Sequence, residues 1–217
     1  MSIGFWWIIL AMGIYGLVHS VLAGQPAKAL AQRWLGPAGQ RWYRLFFNLV
    51  SVITFLPVMA CVRLLPDKLL YRIPLPWMLG SMALQAIAIL VALLAVHDTG
   101  ILPFIGLAPE EEKLPPHLVT DSVYHYVRHP LYICGMVVLW LFPVMTSNFM
   151  AFTIAATVYV GFGIHFEERK LRRNFGAAYE AYQRQTPMLI PGLFVVFPKT
   201  PVQAKNEIYP SDFRKKR

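Results

Sequence analysis

Apolar residues in this chain come in long uncharged runs rather than in the short periodic stripes of soluble helices or strands. Ile3 to Ala23 carries no charge. It is long enough to cross a bilayer, because a hydrocarbon core of about 30 Å needs about 20 helical residues. Trp6 and Trp7 stand near one end, where interfacial anchors belong. A second run, Leu45 to Val62, is expected to kink or end near Pro57. A third runs from Pro74 to Val96. The stretch holding Lys28, Arg33, Arg41 and Arg44 reads as a short basic loop, and Arg63 to Arg72 as another. His97 to His129 is polar and rich in proline, and its "EEEK" at Glu110 to Lys113 reads as solvated loop.

The last apolar stretch, Leu131 to Ile164, has no charged residue over 34 positions. As one helix it would be about 51 Å long and would overshoot the core. Pro143 and the "TSN" at Thr146 to Asn148 lie near its middle. The pattern predicts a hairpin of two short helices with its tip near the far side of the membrane. Arms this short require tilt, thinning or burial against other helices. The fold class expected is therefore all-α, a polytopic membrane protein with five transmembrane helices, the last two forming the short C-terminal hairpin.

Composition supports this reading. The chain has 217 residues, 57% hydrophobic and only 14% charged, whereas soluble domains run nearer a quarter charged. A net charge of +9 invites a nucleic-acid reading. The position of the charge argues against it, because 11 of the 20 Lys and Arg residues lie from Arg169 onward. An excess of this kind after the last apolar run marks a cytoplasmic face. On the predicted topology, one side carries 17 basic residues and the other 3, which puts the N-terminus outside and the C-terminus in the cytoplasm. The expected partners are the lipid bilayer and a small lipophilic substrate, with no nucleic acid. Oligomeric state is not legible. Residues 1–198 read as one membrane-embedded domain, with 97–192 as its ligand-binding part and 199–217 as a basic, loosely ordered tail whose "RKKR" could meet anionic lipid. Cys61 and Cys134 lie inside apolar runs and read as packed thiols. The N-terminus lacks a basic n-region, so the first run is expected to be retained as a helix.

Two polar clusters flank the hairpin and so meet on one face. The first is "VYHYVRHPLYICG", with Tyr124, His125, Tyr126, Arg128 and His129; the second is "HFEERKLRRNFGAAYEAYQRQTP", from His165 to Pro187. The pair His125 and His129 has the i,i+4 spacing of two metal ligands on a helix, but Pro130 disfavours helical geometry at His129. The chain has six histidines and no H-E-x-x-H, so no metal is expected. Tyr, Arg and His at a boundary are also common anchors, and Glu168 with Arg172 could be an ordinary i,i+4 surface pair. A functional reading gains weight because ionisable groups that point inward at membrane depth tend to serve a site. Arg128 and His129 can donate to a carboxylate, Glu167 or Glu168 can accept from an ammonium, and tyrosines can stack on a purine or attract a sulfonium. Those are the parts of S-adenosylmethionine, although many zwitterions would satisfy the first two. Phe175, Tyr179 and Tyr182 read either as part of this cluster or as the apolar stripe of a helix lying on the membrane surface. His19, in the first run, reads as an interhelical hydrogen-bond partner or as a substrate or proton group.

The order R-H-P-x-Y-x-x-G, hairpin, E-E-R-x-L, F-G-x-x-Y-x-x-Y and a final proline covers Val123 to Gly192. It resembles the C-terminal signature of the isoprenylcysteine carboxyl methyltransferase superfamily. "VHSVLAG", "RWYRLFFNLVS", "DTGILPFIGL", "FPVMTSNFMAF" and "TPMLIP" are most similar to its bacterial methanethiol-methylating branch. The phospholipid branch has a G-x-G in its third span, and "ALQAIAILVALLAVHDTG" has none. The resemblance implies a bacterial inner-membrane methyltransferase facing the cytoplasm, using S-adenosylmethionine and a small lipophilic thiol or related apolar substrate. It implies that Arg128, His129, Tyr132, Glu167 and Glu168 contribute to the cofactor pocket, with Pro130 and Gly135 shaping the backbone, and the residue chemistry adds Tyr124 and Tyr126 to that pocket. His125, His129 and Arg128 are the candidate catalytic groups. Carboxyl methylation of a prenylated cysteine, or a non-catalytic protein of the same fold, are the alternatives. A reductase would need a phosphate-cradling glycine loop, and none is present.

Overall fold

The computed structural model describes residues 3–107 and 118–191. Helix α1 spans Ile3–Ala23. Helix α2 spans Gln25–Leu64, with a break at Gly36, whose φ of 57° lies in the left-handed region. Its segment Trp42–Leu64, helix α3 (Trp77–Thr99), α1 and helix α6 (Ser147–Phe175) are each long and apolar enough to cross a membrane. The short α4 covers Ile101–Ile105, α5 covers Pro130–Trp140 and α7 covers Ala177–Gln185. A 3-10 turn occupies Ser122–His125.

Two expectations are corrected. The basic stretch from Lys28 to Arg44 is not a loop. Good helix formers such as Ala29, Leu30, Ala31 and Gln32 continue the helix after Pro26, which is tolerated in the first turn. The C-terminal hairpin does not have two short arms. Helix α5 has 11 residues, about 16 Å, whereas α6 has 29 and continues through the charged segment after Ile164. A helix need not end where the apolar run ends, because Glu, Lys, Arg and Leu all sustain it. The fold is mostly helical, as expected, and adds one short ribbon. Strand β1 (Leu69–Arg72) pairs antiparallel with β2 (Val144–Thr146), Leu69 opposite Thr146 and Arg72 opposite Val144. This ribbon ties the loop after α2 to the tip of the hairpin, so both lie at one end of the molecule. The "EEEK" segment and the tail 199–217 lie outside the described residues.

The ends of the hairpin arms are satisfied in detail. The Leu141 carbonyl, just past the C-terminal end of α5, accepts from Gln85 Nε2 at 2.8 Å and from the Ser81 hydroxyl. A polar group freed at membrane depth needs such a partner. At the start of α6, Asp67 accepts from the Ser147 hydroxyl at 2.8 Å, the Asn148 backbone N–H at 2.9 Å and the Lys68 backbone N–H at 2.8 Å. Burial of Asp67 pushes its carboxyl upward, but those donors, with the Thr146 hydroxyl, outweigh it and leave it below the usual range. The core joins Phe5, Ile8 and Met12 of α1 to Val58 of α2 and to Ala151, Phe152 and Ala156 of α6. Cys61 and Cys134 are free thiols, as expected.

Candidate active site

Pro130 starts α5 and leaves His129 in a non-helical conformation, so the Val123–His129 segment turns across the end of the hairpin. The backbone N–H groups of Arg128 and His129 donate to the carbonyls of Pro187 and Met188, at 3.0 and 3.1 Å. This clips the segment to the chain that leaves α7. Helix α6 carries Glu167 and Glu168 to the same place.

Glu168 is the centre of the arrangement. Its side chain is 8% exposed, and Arg128 grips it with Nε at 2.9 Å from Oε1 and Nη2 at 3.1 Å from Oε2. His129 Nε2 stands 2.8 Å from Oε1. The Tyr179 hydroxyl donates to Oε1 at 2.6 Å, and Gln183 Nε2 donates to Oε2. Five donors therefore fill both oxygens. The Arg128 guanidinium is nearly as fully occupied, since Nη1 also donates to the carbonyls of Thr186 and Gln183 at 2.5 and 3.3 Å. A paired, multiply bonded carboxylate of this kind holds structure together and has little capacity left for a ligand.

Glu167 differs. Its side chain is 43% exposed, and its nearest ion-pair partner is His129 Nδ1 at 3.8 Å. It sits beside the phenols of Tyr124 and Tyr132. Burial, the nearby Glu167 carboxylate and that of Asp98 push the Tyr124 hydroxyl up to about 12, against a hydrogen bond with Thr99. Burial likewise raises Tyr179 and Tyr182 above the ordinary tyrosine value. These phenols are donors across the physiological range. Asp98 Oδ2 is buried and, among the described residues, has no hydrogen-bond partner. A buried, unpartnered carboxylate oxygen is expensive unless a ligand donor meets it. Glu167 and Asp98 each lie near enough to Tyr124 to raise it, and carboxylates grouped with phenols suit a ligand carrying an ammonium or a sulfonium.

The structure thus brings Arg128, His129 and Glu168 together, with Tyr124, Tyr132 and Glu167 beside them. It does not bring His125 or Tyr126 to Glu168; both are exposed, with rings 5.4 Å apart. Gly135 is exposed on α5, and a side chain there would meet nothing within 4 Å. Among the described residues, no group of three His, Cys, Asp or Glu side chains could hold a metal. Tyr179 and Tyr182 are buried, not laid on a membrane surface, and Tyr182 donates to the Tyr124 carbonyl at 2.5 Å. Gln183 and Asp98 are functional candidates that the sequence pattern does not single out. Gln183 lies one turn after Tyr179, and that i,i+4 spacing is the available signal. Asp98 is visible in the sequence only as a charge ending an apolar run.

The family model described as phospholipid methyltransferase matches residues 77–178. A methanethiol S-methyltransferase of Crocosphaera subtropica is 30% identical over 191 residues, covering 83% of this chain and 72% of that protein. Methanethiol S-methyltransferase 2 of Bradyrhizobium diazoefficiens is 29% identical over 200 residues, covering 86% and 73%. A protein-S-isoprenylcysteine O-methyltransferase of Schizosaccharomyces pombe is 34% identical over 77 residues, 34% of this chain and 33% of that protein. No solved structure matches.

Proposed function

Because this chain belongs to the isoprenylcysteine carboxyl methyltransferase superfamily of membrane methyltransferases, we propose that it transfers a methyl group from S-adenosylmethionine to a small lipophilic thiol. The names of its more extensive relatives favour a thiol acceptor. One observation carries the choice of donor: a half-exposed Glu167 and an unpartnered Asp98 oxygen converge on Tyr124 beside a sealed Arg128–Glu168 pair. The residues present therefore fit a cationic ligand. Glu167 and Asp98 would receive its ammonium or hydroxyl donors, and the Tyr124 and Tyr132 rings would face its cationic and aromatic parts.

When bound, S-adenosylmethionine supplies an electrophilic methyl group on a sulfonium. Arg128, His129, Glu168, Tyr179 and Gln183 then act as a frame that fixes Glu167 and the tyrosines. Alignment of this kind is worth several kcal/mol in a two-reactant step. His125 and Tyr126 form the exposed rim. The apolar helices exclude water from a reaction in which a thiolate and a sulfonium neutralise each other. The excess of basic residues, 17 against 3, supports a cytoplasmic mouth. We take 97–192 as the ligand-binding part of a single domain, because Asp98, Tyr124, Glu167 and Tyr182 all fall within it.

The test is calorimetric binding of S-adenosylhomocysteine to the detergent-purified chain, followed by a radiolabelled-methyl assay across thiols, phospholipids and a prenylcysteine. Binding that Glu167→Gln removes, with label appearing on a thiol, is the expected result. Label on the prenylcysteine alone would select carboxyl methylation instead, and absence of binding would refute the choice of donor.

A further inference from the structure

His19 takes no part in the frame around Glu168. It lies half-buried in α1, on the side facing α2 and α6. Its contacts are uncharged: Tyr15 on its own helix, Phe47 and Ser51 of α2, and Tyr159 of α6. The rings of Phe47 and Tyr159 stand edge-on to it at 4.6 and 6.0 Å.

The hydrogen bonds fix which nitrogen holds the proton. Ser51 Oγ is 2.7 Å from the Phe47 carbonyl and 3.0 Å from His19 Nδ1. A serine has one hydroxyl proton. Were it given to His19, the hydroxyl and the Phe47 carbonyl would face each other lone pair to lone pair at 2.7 Å. Both contacts attract only if Ser51 donates to Phe47 and accepts from His19 Nδ1–H. The Tyr15 hydroxyl, 3.4 Å from Nδ1, is a weaker second acceptor. Nε2 then carries a bare lone pair, since both side-chain hydrogen bonds of His19 among the described residues run through Nδ1.

Tyr159, Gly163 and Glu167 follow one another at intervals of four on α6, so they share a face about 12 Å long. A side chain built at Gly163 would meet only the Tyr132 hydroxyl, at 3.8 Å. The stripe from the ligand-facing Glu167 to the Tyr159 ring against His19 is therefore open in its middle.

We propose that His19 Nε2 is the base that receives the proton of the acceptor thiol, within a small aromatic site walled by Tyr15, Phe47 and Tyr159. This rests on the thiol-methylating reading. The thiol S–H bond breaks and its proton passes to Nε2. The sulfur's electron pair forms the new bond to the methyl carbon, and the pair of the old carbon–sulfur bond stays with the donor's sulfur. The products are a thioether from the acceptor, a neutral thioether from the methyl sulfonium donor, and a proton on His19 that leaves to solvent. Ser51 is a positioning residue that holds the required tautomer.

The experiment compares a thiol with the corresponding selenol, which is already ionised at neutral pH and needs no base. His19→Gln should lower methyl transfer to the thiol by at least about 100-fold and to the selenol by less than about fivefold. Its affinity for S-adenosylhomocysteine should stay within about twofold of the parent chain, so that loss of the base is separated from loss of the donor site. In the chain loaded with S-adenosylhomocysteine, thiol binding should raise thiolate ultraviolet absorbance, and His19→Gln should abolish the rise. Ser51→Ala should slow the thiol and spare the selenol. Equal losses for thiol and selenol, persistent thiolate absorbance in His19→Gln, or loss of S-adenosylhomocysteine binding there would overturn the assignment. A parent chain that binds S-adenosylhomocysteine but methylates no thiol would overturn both readings.

Discussion

Glu167 and Glu168 are adjacent, and the structure gives them opposite work, which a pair of isosteric substitutions separates. In Glu168→Gln the charge disappears, and the new amide N–H faces Arg128 or Gln183, both of which are donors. Arg128 is left about one-tenth exposed without its carboxylate. Removing one partner of a buried ion pair typically costs about 3–5 kcal/mol. For a chain of this size each kcal/mol corresponds to about 2–4 °C, so the melting temperature should fall by roughly 6–20 °C. Glu167→Gln alters a half-exposed group with a 3.8 Å contact to His129 and a hydrogen bond with Tyr132 that an amide oxygen can still accept, a change worth about 0–1 kcal/mol. Thermal unfolding in detergent, with S-adenosylhomocysteine calorimetry on both variants, reads the two effects independently. Glu168→Gln should be unstable, and Glu167→Gln should be stable but impaired in binding. A Glu168→Gln variant that melts with the parent chain and loses only binding would refute the division of labour.

Three further outcomes follow from other parts of the fold. Gly106 has φ 87°, and a side chain there would lie 2.6 Å from the Leu45 backbone nitrogen, so Gly106→Ala should cost about 1–3 kcal/mol and loosen the α4 segment that Asn48 holds to α2; hydrogen exchange of Phe104 to Leu107 checks this. Asp67→Ala should cost about 1–2 kcal/mol through loss of the α6 start, with methyl transfer in the surviving folded protein unchanged. Tyr124, whose hydroxyl is pushed up to about 12, should stay neutral as solvent-exposed tyrosines ionise. Because its folded value is raised, the stabilisation is complete below pH of about 10 and is lost as pH rises toward about 12; tyrosinate absorbance of Tyr124→Phe against the parent chain measures it.

Much of the site is legible in the sequence because connectivity alone forces it. Arg128 and Glu168 lie at the two feet of one hairpin, so any closed hairpin brings them together. The apolar runs locate α1, the Trp42–Leu64 segment and α3 directly, because their hydrophobicity is continuous, whereas the length of α6 is hidden by the charged residues of its second half. What is not legible depends on contacts distant in sequence. Leu69 to Arg72 reads as loop because its strand exists only through pairing with Val144 to Thr146. The division between Glu167 and Glu168 is invisible because it depends on which of two neighbouring side chains α7 covers, and that is set by Tyr179 and Gln183. The basic stretch after α1 reads as loop only when charge is treated as a loop signal, whereas Lys and Arg favour helix.

The seal over Glu168 also sets an order of events at the ribosome. Among the described residues, every long apolar helix precedes residue 176, whereas Tyr179, Gln183 and the carbonyls of Thr186 to Met188 come later. A nascent chain can therefore have its hairpin inserted while Arg128 and Glu168 still lack much of their cover. Closure of this end waits for α7, a short amphipathic helix made after the bundle, and a ribosome stalled before it would hold an assembled bundle with Glu168 still uncovered.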